Sequence, residues 1–397
     1  MKHFNNITYE RKKELFLIQP KEFNNNTDIS LLKYSLGSLL YMPGDRKDIS
    51  NIILERKYPE MTSMAWCLED ALNDEHLKEG EENVLKQLRN IQKNLDDKKI
   101  SINDIPLIFI RVRDHEQLTR LLENIKQIIN DSTSGVNLLT GFIFPKFDSR
   151  YCLSYLNTLY SFNKLLKTNY YCMPIIESSK VMYLENRKKE LMTIFDILND
   201  PTYKDMILNI RIGATDFSSL YGLRRSIDNT IYDICVIRDV ITDLINVFNR
   251  NNTFIISGPV WEYFNSGKTT SYNQRILKPL IRETPFKEHY KNRQIILDNA
   301  IDGLIKEVIL DKVNGLIGKT TIHPSHIKYI NSLQVVLEEE YLDAKSIVES
   351  NGSGVSKGVN GNKMNENKPH LNWAKEIIAK SEIYGVLRGD KNYVDLF

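Results

Sequence analysis

The chain has little that would tie it to a membrane, an oxidising compartment or a nucleic acid. Only four cysteines occur in 397 residues, at positions 67, 152, 172 and 235. None are close enough in sequence to form a zinc-type Cys-x-x-Cys pair. So few thiols suggest a reducing compartment, and Cys67 and Cys172, set inside apolar runs, read as buried free thiols. No segment approaches the roughly 20 apolar residues that span a bilayer. The opening MKHFNNITYERKKELF lacks the apolar stretch of a signal peptide. The expectation is a cytoplasmic protein without a membrane partner. Fifty-three basic residues balance 51 acidic ones, for a formal charge of +2. A nucleic-acid partner would call for a basic bias or stripe, and the short runs Arg11-Lys12-Lys13 and Arg187-Lys188-Lys189 read as solvated helix faces.

What is present is alternation. Short apolar runs occur at 38–42, 64–68, 106–111, 141–145, 172–176, 207–213, 253–257 and 316–322. Each is short and rich in Ile, Leu, Phe or Tyr, as buried parallel strands are. Amphipathic stretches separate them. Leu118, Leu121, Leu122, Ile125, Ile128 and Ile129 form one apolar helical face, with Asp114 placed to cap it and Gln117 at the capping-box position. Further helices are expected over Glu75–Asp97 and Ile231–Phe248. Eight strand–helix units predict an α/β fold closed into a TIM (β/α)8 barrel, with an open doubly wound sheet as the alternative. The barrel is expected over 34–349. Residues 1–33 form an N-terminal extension, 350–362 a flexible Gly/Ser/Asn linker, and 363–397 a helical lid or arm.

Reacting groups of such barrels lie at the C-terminal ends of strands. Those positions here carry Arg46, Glu69, Asp70, Arg111, Arg113, Lys146, Glu177, Asp216 and Lys319. Carboxylates with a few waters and an oxygen-rich substrate are how proteins hold Mg²⁺ or Mn²⁺. Such an ion polarises a carbonyl, and an adjacent Arg grips a carboxylate or developing oxyanion. The set suits breaking or making a C–C bond beside a keto acid. Helix capping is the structural alternative for Glu177 and Asp216, and an ion pair with Glu69 or Asp70 is the alternative for Arg111. The Gly318-Lys319-Thr320 run lacks the glycine pattern of a phosphate-binding loop.

The strings LLYMPGDR, CLEDAL, FIRVRD, FIFPK, MPIIES, RIGATDFSSLYGLRR, ISGPVWEYF and GKTTIHPSHI occur in that order. In them the chain resembles the HpcH/HpaI aldolase and citrate lyase β-subunit superfamily, and within it the tellurite-resistance-associated C–C bond lyase branch. The branch resemblance extends to NKMNENKPHLNWA, so it covers Leu31 to Val386. It implies a TIM barrel, a divalent cation held by Glu177 and Asp216, and a substrate-gripping Arg111 with Glu69 and Asp70 as further catalytic groups. Arg46, Arg113, Lys146 and Lys319 are the expected substrate-binding cations, and Gly318-Lys319 with His323-Pro324 match the motif that closes the barrel. Lys363, Glu366 and His370 are lid residues expected over the mouth, the chain's own or a neighbour's. The implied partner is a small keto-acid metabolite, in a protein expected to form homo-oligomers. Gly37 replaces the usual Arg of the first strand, Cys67 the first Asp of the acidic motif, and Arg113 the usual Asn. These departures disfavour a CoA thioester as substrate. The other readings are a metal-dependent ester or thioester hydrolase on the same site and a non-catalytic scaffold in a stress-response system.

Overall fold

The structure is a computed structural model that describes residues 1–264, 299–350, 354–358, 361 and 364–397. Seven parallel strands form its centre: β1 (Ser38–Pro43), β2 (Ser63–Cys67), β3 (Leu107–Arg111), β4 (Leu139–Phe144), β5 (Tyr171–Ile176), β6 (Arg211–Ile212) and β7 (Lys319–Thr321). Their spatial order is β6-β5-β4-β3-β2-β1-β7. The two free edges meet through residues 254–258. Ile256 bridges Ile210, and Gly258 bridges Lys319, both in parallel. The expected seventh strand is thus a pair of bridges that closes the barrel, and the sixth is shorter than its apolar run suggests.

Both faces of the strands are apolar because both are covered. Leu40, Met64, Trp66, Ile108, Ile110 and Phe142 face outward into the helix layer. Leu39, Ala65, Phe109, Ile143, Met173 and Ile175 fill the lumen. The helix after β3 spans His115–Asp131, and the Asp114 side chain accepts from Gln117 N–H, satisfying one of the unpaired donors of a helix start. The other two expected helices run over Leu77–Asp96 and Cys235–Phe248. All four cysteines are free, and Cys67 and Cys172 are buried. Among the described residues no helix is long and apolar enough to cross a membrane.

The two chain ends meet beneath the barrel. Phe16–Ile18 pairs antiparallel with Val386–Leu387. His3 stacks on Tyr384 at 4.3 Å, and the Tyr384 hydroxyl donates to the Tyr34 carbonyl at 2.8 Å. Both side chains crowd Gly37, which leads into the N-terminal end of β1. The helix Asn367–Tyr384 therefore sits at the end of the barrel opposite the mouth. This corrects the expectation of a lid over the chain's own active site. Glu366 precedes that helix without a side-chain capping bond and is exposed, His370 is exposed on its first turns, and Lys363 lies outside the described residues. The physical reason is the apolar lumen, which continues through Phe16, Leu36, Ile383, Tyr384 and Leu387. Part of the expected linker is also ordered, since Val355–Lys357 pairs with Met364–Glu366.

This placement makes the C-terminal segment part of the barrel's packing. Ile383, Tyr384, Val386 and Leu387 are each 1% exposed or less. Burial of such side chains contributes about 1.5–3 kcal/mol each, together comparable with the net stability of about 5–15 kcal/mol of a whole domain. A chain ending at residue 350 is expected to lose its cooperative thermal transition by calorimetry. A truncated chain melting like the full one would contradict the plug.

Candidate active site

At the mouth, the buried Arg111 guanidinium organises the acids. Its Nη2 lies 2.6 Å from Glu69 Oε2, 3.0 Å from Asp70 Oδ2 and 3.7 Å from Glu177 Oε1. Glu69 is buried between two cations, its other oxygen 2.9 Å from Lys146 Nζ. Glu69 also accepts from the Asp70 N–H at 2.8 Å. Asp70 is half exposed. Nη1 of Arg111 reaches the Cys67 sulfur at 3.9 Å, so the cysteine that departs from the family pattern touches the central arginine.

Glu177, buried at the end of β5, accepts from the Lys146 backbone N–H at 2.7 Å. That donor is aimed by an unusual backbone, because Lys146 has φ of 48°. The left-handed region costs a residue with a side chain about 1–2 kcal/mol, and here it turns the N–H onto a buried carboxylate. Gly213 supplies the other wall. A Cβ there would fall 2.3 Å from Glu177 Oε2, so glycine is what lets the carboxylate lie flat against the start of the helix Ala214–Ser219. Asp216 stands in the first turn of that helix, within side-chain hydrogen-bonding reach of Glu177.

The electrostatics separate these acids. Burial pushes Glu177 up to about 8 despite Arg111, and Asp216 adds to the rise. Burial and the nearby Asp70 also raise Asp216. Glu69 is raised by burial against the pull of Arg111. Asp70 is buried enough to be pushed up, yet Arg111, Glu69 and Lys146 together hold it below the usual carboxylate range. A buried and a half-buried carboxylate, both with raised proton affinity, are a donor pair short of a cation. Among the described residues no three His, Cys, Asp or Glu side chains form a metal cage. The pair still fits Mg²⁺, which is commonly bound through one or two carboxylates while waters and substrate oxygens complete its shell.

Six expected site residues thus come together: Glu69, Asp70, Arg111, Lys146, Glu177 and Asp216. Three do not. Arg46 folds back onto Asp48, at 2.5 and 3.0 Å, within its own loop. Arg113 pairs with Asp74 on the rim. Lys319 is the clearest correction. Its side chain leaves the outer face of β7, fully buried, and pairs with Glu307 at 2.8 Å and Asp311 at 2.7 Å on the helix Asn299–Val313. Strand alternation sends Lys319 outward and Thr320 inward, so the lysine cannot line the mouth. The sequence reading missed Tyr41, Arg211 and Thr320, which face the lumen. The one available signal was an arginine inside the apolar run ILNIRIG.

No curated protein matches the chain. Among solved structures, a citrate lyase from Burkholderia xenovorans is similar with a TM-score of 0.58 at 12% identity, over 91% of this chain and 96% of that one. The protein CitE from Mycobacterium tuberculosis, in complex with magnesium, acetoacetate and coenzyme A, gives a TM-score of 0.50 at 14% identity, over 88% and 99% of the two chains. At such identities the likeness is one of fold. The family evidence is the match to the model described as C–C bond lyase of the TIM-barrel fold, which runs over residues 30–386. A match over nearly the whole chain, with the acids and Arg111 gathered at the mouth, leads to one conclusion: this chain belongs to the C–C bond lyase family of the TIM-barrel fold.

Proposed function

We propose that the protein is a divalent-metal-dependent lyase that cleaves or forms a C–C bond in a small keto-acid metabolite. The carrying observation is the pairing of buried Glu177 with half-buried Asp216 beside a buried Arg111. Glu177 and Asp216 would hold Mg²⁺ or Mn²⁺, which when bound supplies Lewis-acid polarisation of the keto oxygen. Arg111 binds the substrate carboxylate and stabilises the enolate as it forms. Glu69 positions Arg111 and takes up the charge of Lys146, which leaves the Lys146 ammonium at the rim of the same pocket. Asp70 is the half-exposed acid, held ionised, and so suits removal of the hydroxyl proton. In the cleavage direction that proton goes to Asp70, the C–C pair becomes the enolate, and a proton is then added at its carbon. A thioester is not required, and Cys67 and Arg113 differ from the pattern of CoA-dependent relatives.

The test is deuterium exchange into the methyl group of pyruvate, followed by proton NMR with the full chain in D₂O. Exchange that depends on Mg²⁺ is expected, since it reports enolate formation. Its absence with pyruvate and other 2-keto acids, or release of products with an intact carbon skeleton, would overturn the lyase reading in favour of hydrolysis. Arg111→Lys is expected to slow exchange by about 100-fold, the scale of one lost oxyanion donor, because a point ammonium cannot span Glu69, Asp70 and substrate at once. Equal rates in the two proteins would exclude that role for Arg111.

A further inference from the structure

Behind the acids lies a second guanidinium that the reaction described above does not use. Arg211 of β6 is 1% exposed. Its Nη1 donates to Ser257 Oγ at 2.9 Å, and its Nη2 donates to Thr320 Oγ1. The Tyr41 hydroxyl lies within side-chain hydrogen-bonding reach of the same group. Its polar neighbours are neutral hydroxyls, and no described carboxylate pairs with it. A buried cation without an anion is expensive to maintain. Three donors of this region also lack acceptors: Arg211 Nε, Arg111 Nε and Asn209 Nδ2. Buried donors without acceptors call for an oxygen-rich ligand.

The hydroxyls indicate how such a ligand would be met. Ser257 spends its proton on Asn209 Oδ1. Thr320 offers its oxygen to Arg211 and so keeps a proton to donate elsewhere, and the Tyr41 hydroxyl beside the same guanidinium has a proton of its own. Both are only partly buried, unlike Arg211. Tyr41 also lies in the field of both guanidinium groups, Arg211 and Arg111, and of Glu177.

We propose that Tyr41 and Thr320, backed by Arg211, form an anion seat on the floor of the mouth for a second carboxylate of the substrate. Arg211 is the positioning residue: it fixes both hydroxyls and strengthens them as donors. The substrate class is then a keto acid with two carboxylates, one beside Arg111 and one at the seat. This inference rests on the lyase reading of the same mouth.

The experiment is calorimetric titration of the full chain with Mg²⁺, using keto acids matched in carbon count. Oxaloacetate is compared with 2-oxobutyrate, and 2-oxoglutarate with 2-oxovalerate. The dicarboxylate of at least one pair is expected to bind about tenfold tighter or more, the scale of one charge-assisted hydrogen bond. Tyr41→Phe and Thr320→Val, which keep Arg211 in place, should each shrink that preference, and Arg211→Met should abolish it. Wild-type protein with no preference, or with no keto-acid binding, overturns the seat. So does a preference that persists in both hydroxyl variants. Titration with Mn²⁺ alone, read by electron paramagnetic resonance, reports the metal site independently. Loss of the metal reading with a retained dicarboxylate preference would fault the first proposal and keep the second.

Discussion

Glu177→Gln is expected to cut turnover by on the order of 10³-fold and metal affinity by about 100-fold or more. Gln keeps the shape that fits against Gly213 and can still accept the Lys146 N–H. It removes the anionic oxygen that a cation needs and the charge that Asp216 shares. Stability should move the other way in metal-free protein. An acid raised to about 8 in the folded chain binds protons more tightly folded than unfolded, so folding weakens as pH rises from the ordinary carboxylate range through that value. Gln carries no such penalty. The variant should therefore melt no lower than the parent at pH 8, while its Mn²⁺ titration and keto-acid exchange fail. A fall in melting temperature with unchanged metal binding would make Glu177 a structural residue.

Lys319→Met is expected to give the opposite pattern. The ammonium is fully buried between Glu307 and Asp311. Glu307 keeps Arg225 as a second partner, and the Tyr232 hydroxyl donates to Asp311 at 2.6 Å. Removing the lysine leaves Asp311 without a cation in the layer between β7 and its covering helix. Breaking a buried pair in this way costs about 3–5 kcal/mol. Thermal and denaturant unfolding should show that loss, and the surviving folded fraction should retain Mn²⁺ affinity. If Lys319 instead formed a Schiff base or held substrate, activity would disappear at unchanged stability. The outcome thus separates a residue that shapes the barrel wall from one that faces the reaction, although both belong to one strand-end motif.

Why one such motif misleads while another informs is a matter of strand parity. Glu177 and Asp216 follow the ends of β5 and β6, where the chain turns over the mouth, so position in sequence is nearly position in space. Lys319 lies inside a strand, where one residue of register decides between lumen and helix layer. Arg46 and Arg113 stand at the correct ends but have acids within reach in their own loops and on the rim. Local pairing there precedes any role toward substrate. Sequence patterns rank these cations alike because spacing does not report which acid is nearest.

The arm illustrates a different limit. Its helical character was legible over residues 363–397. Its destination was not, because an apolar face specifies only that something must cover it. The lumen left open beneath β1 and the strand offered by Phe16–Ile18 decide the matter. Covering the barrel floor buries Tyr384 and Leu387, which an arm over the polar mouth could not do.

By itself the sequence determined the periodicity of strands and helices, hence a parallel α/β sheet, with closure into a barrel expected and an open doubly wound sheet as the alternative. It also placed acids and an arginine at the strand ends as candidates, and the family resemblance gave the class of chemistry they suit. These follow from short-range rules of alternation, capping and strand-end placement. Only the tertiary structure decided which charges meet. It tied Glu69 to both Arg111 and Lys146, turned Lys319 away from the mouth, placed the C-terminal helix beneath the barrel and left Arg211 buried among hydroxyls. Those outcomes depend on contacts between residues tens to hundreds of positions apart, where burial and charge pairing are set by the closed barrel and not by neighbours in the chain.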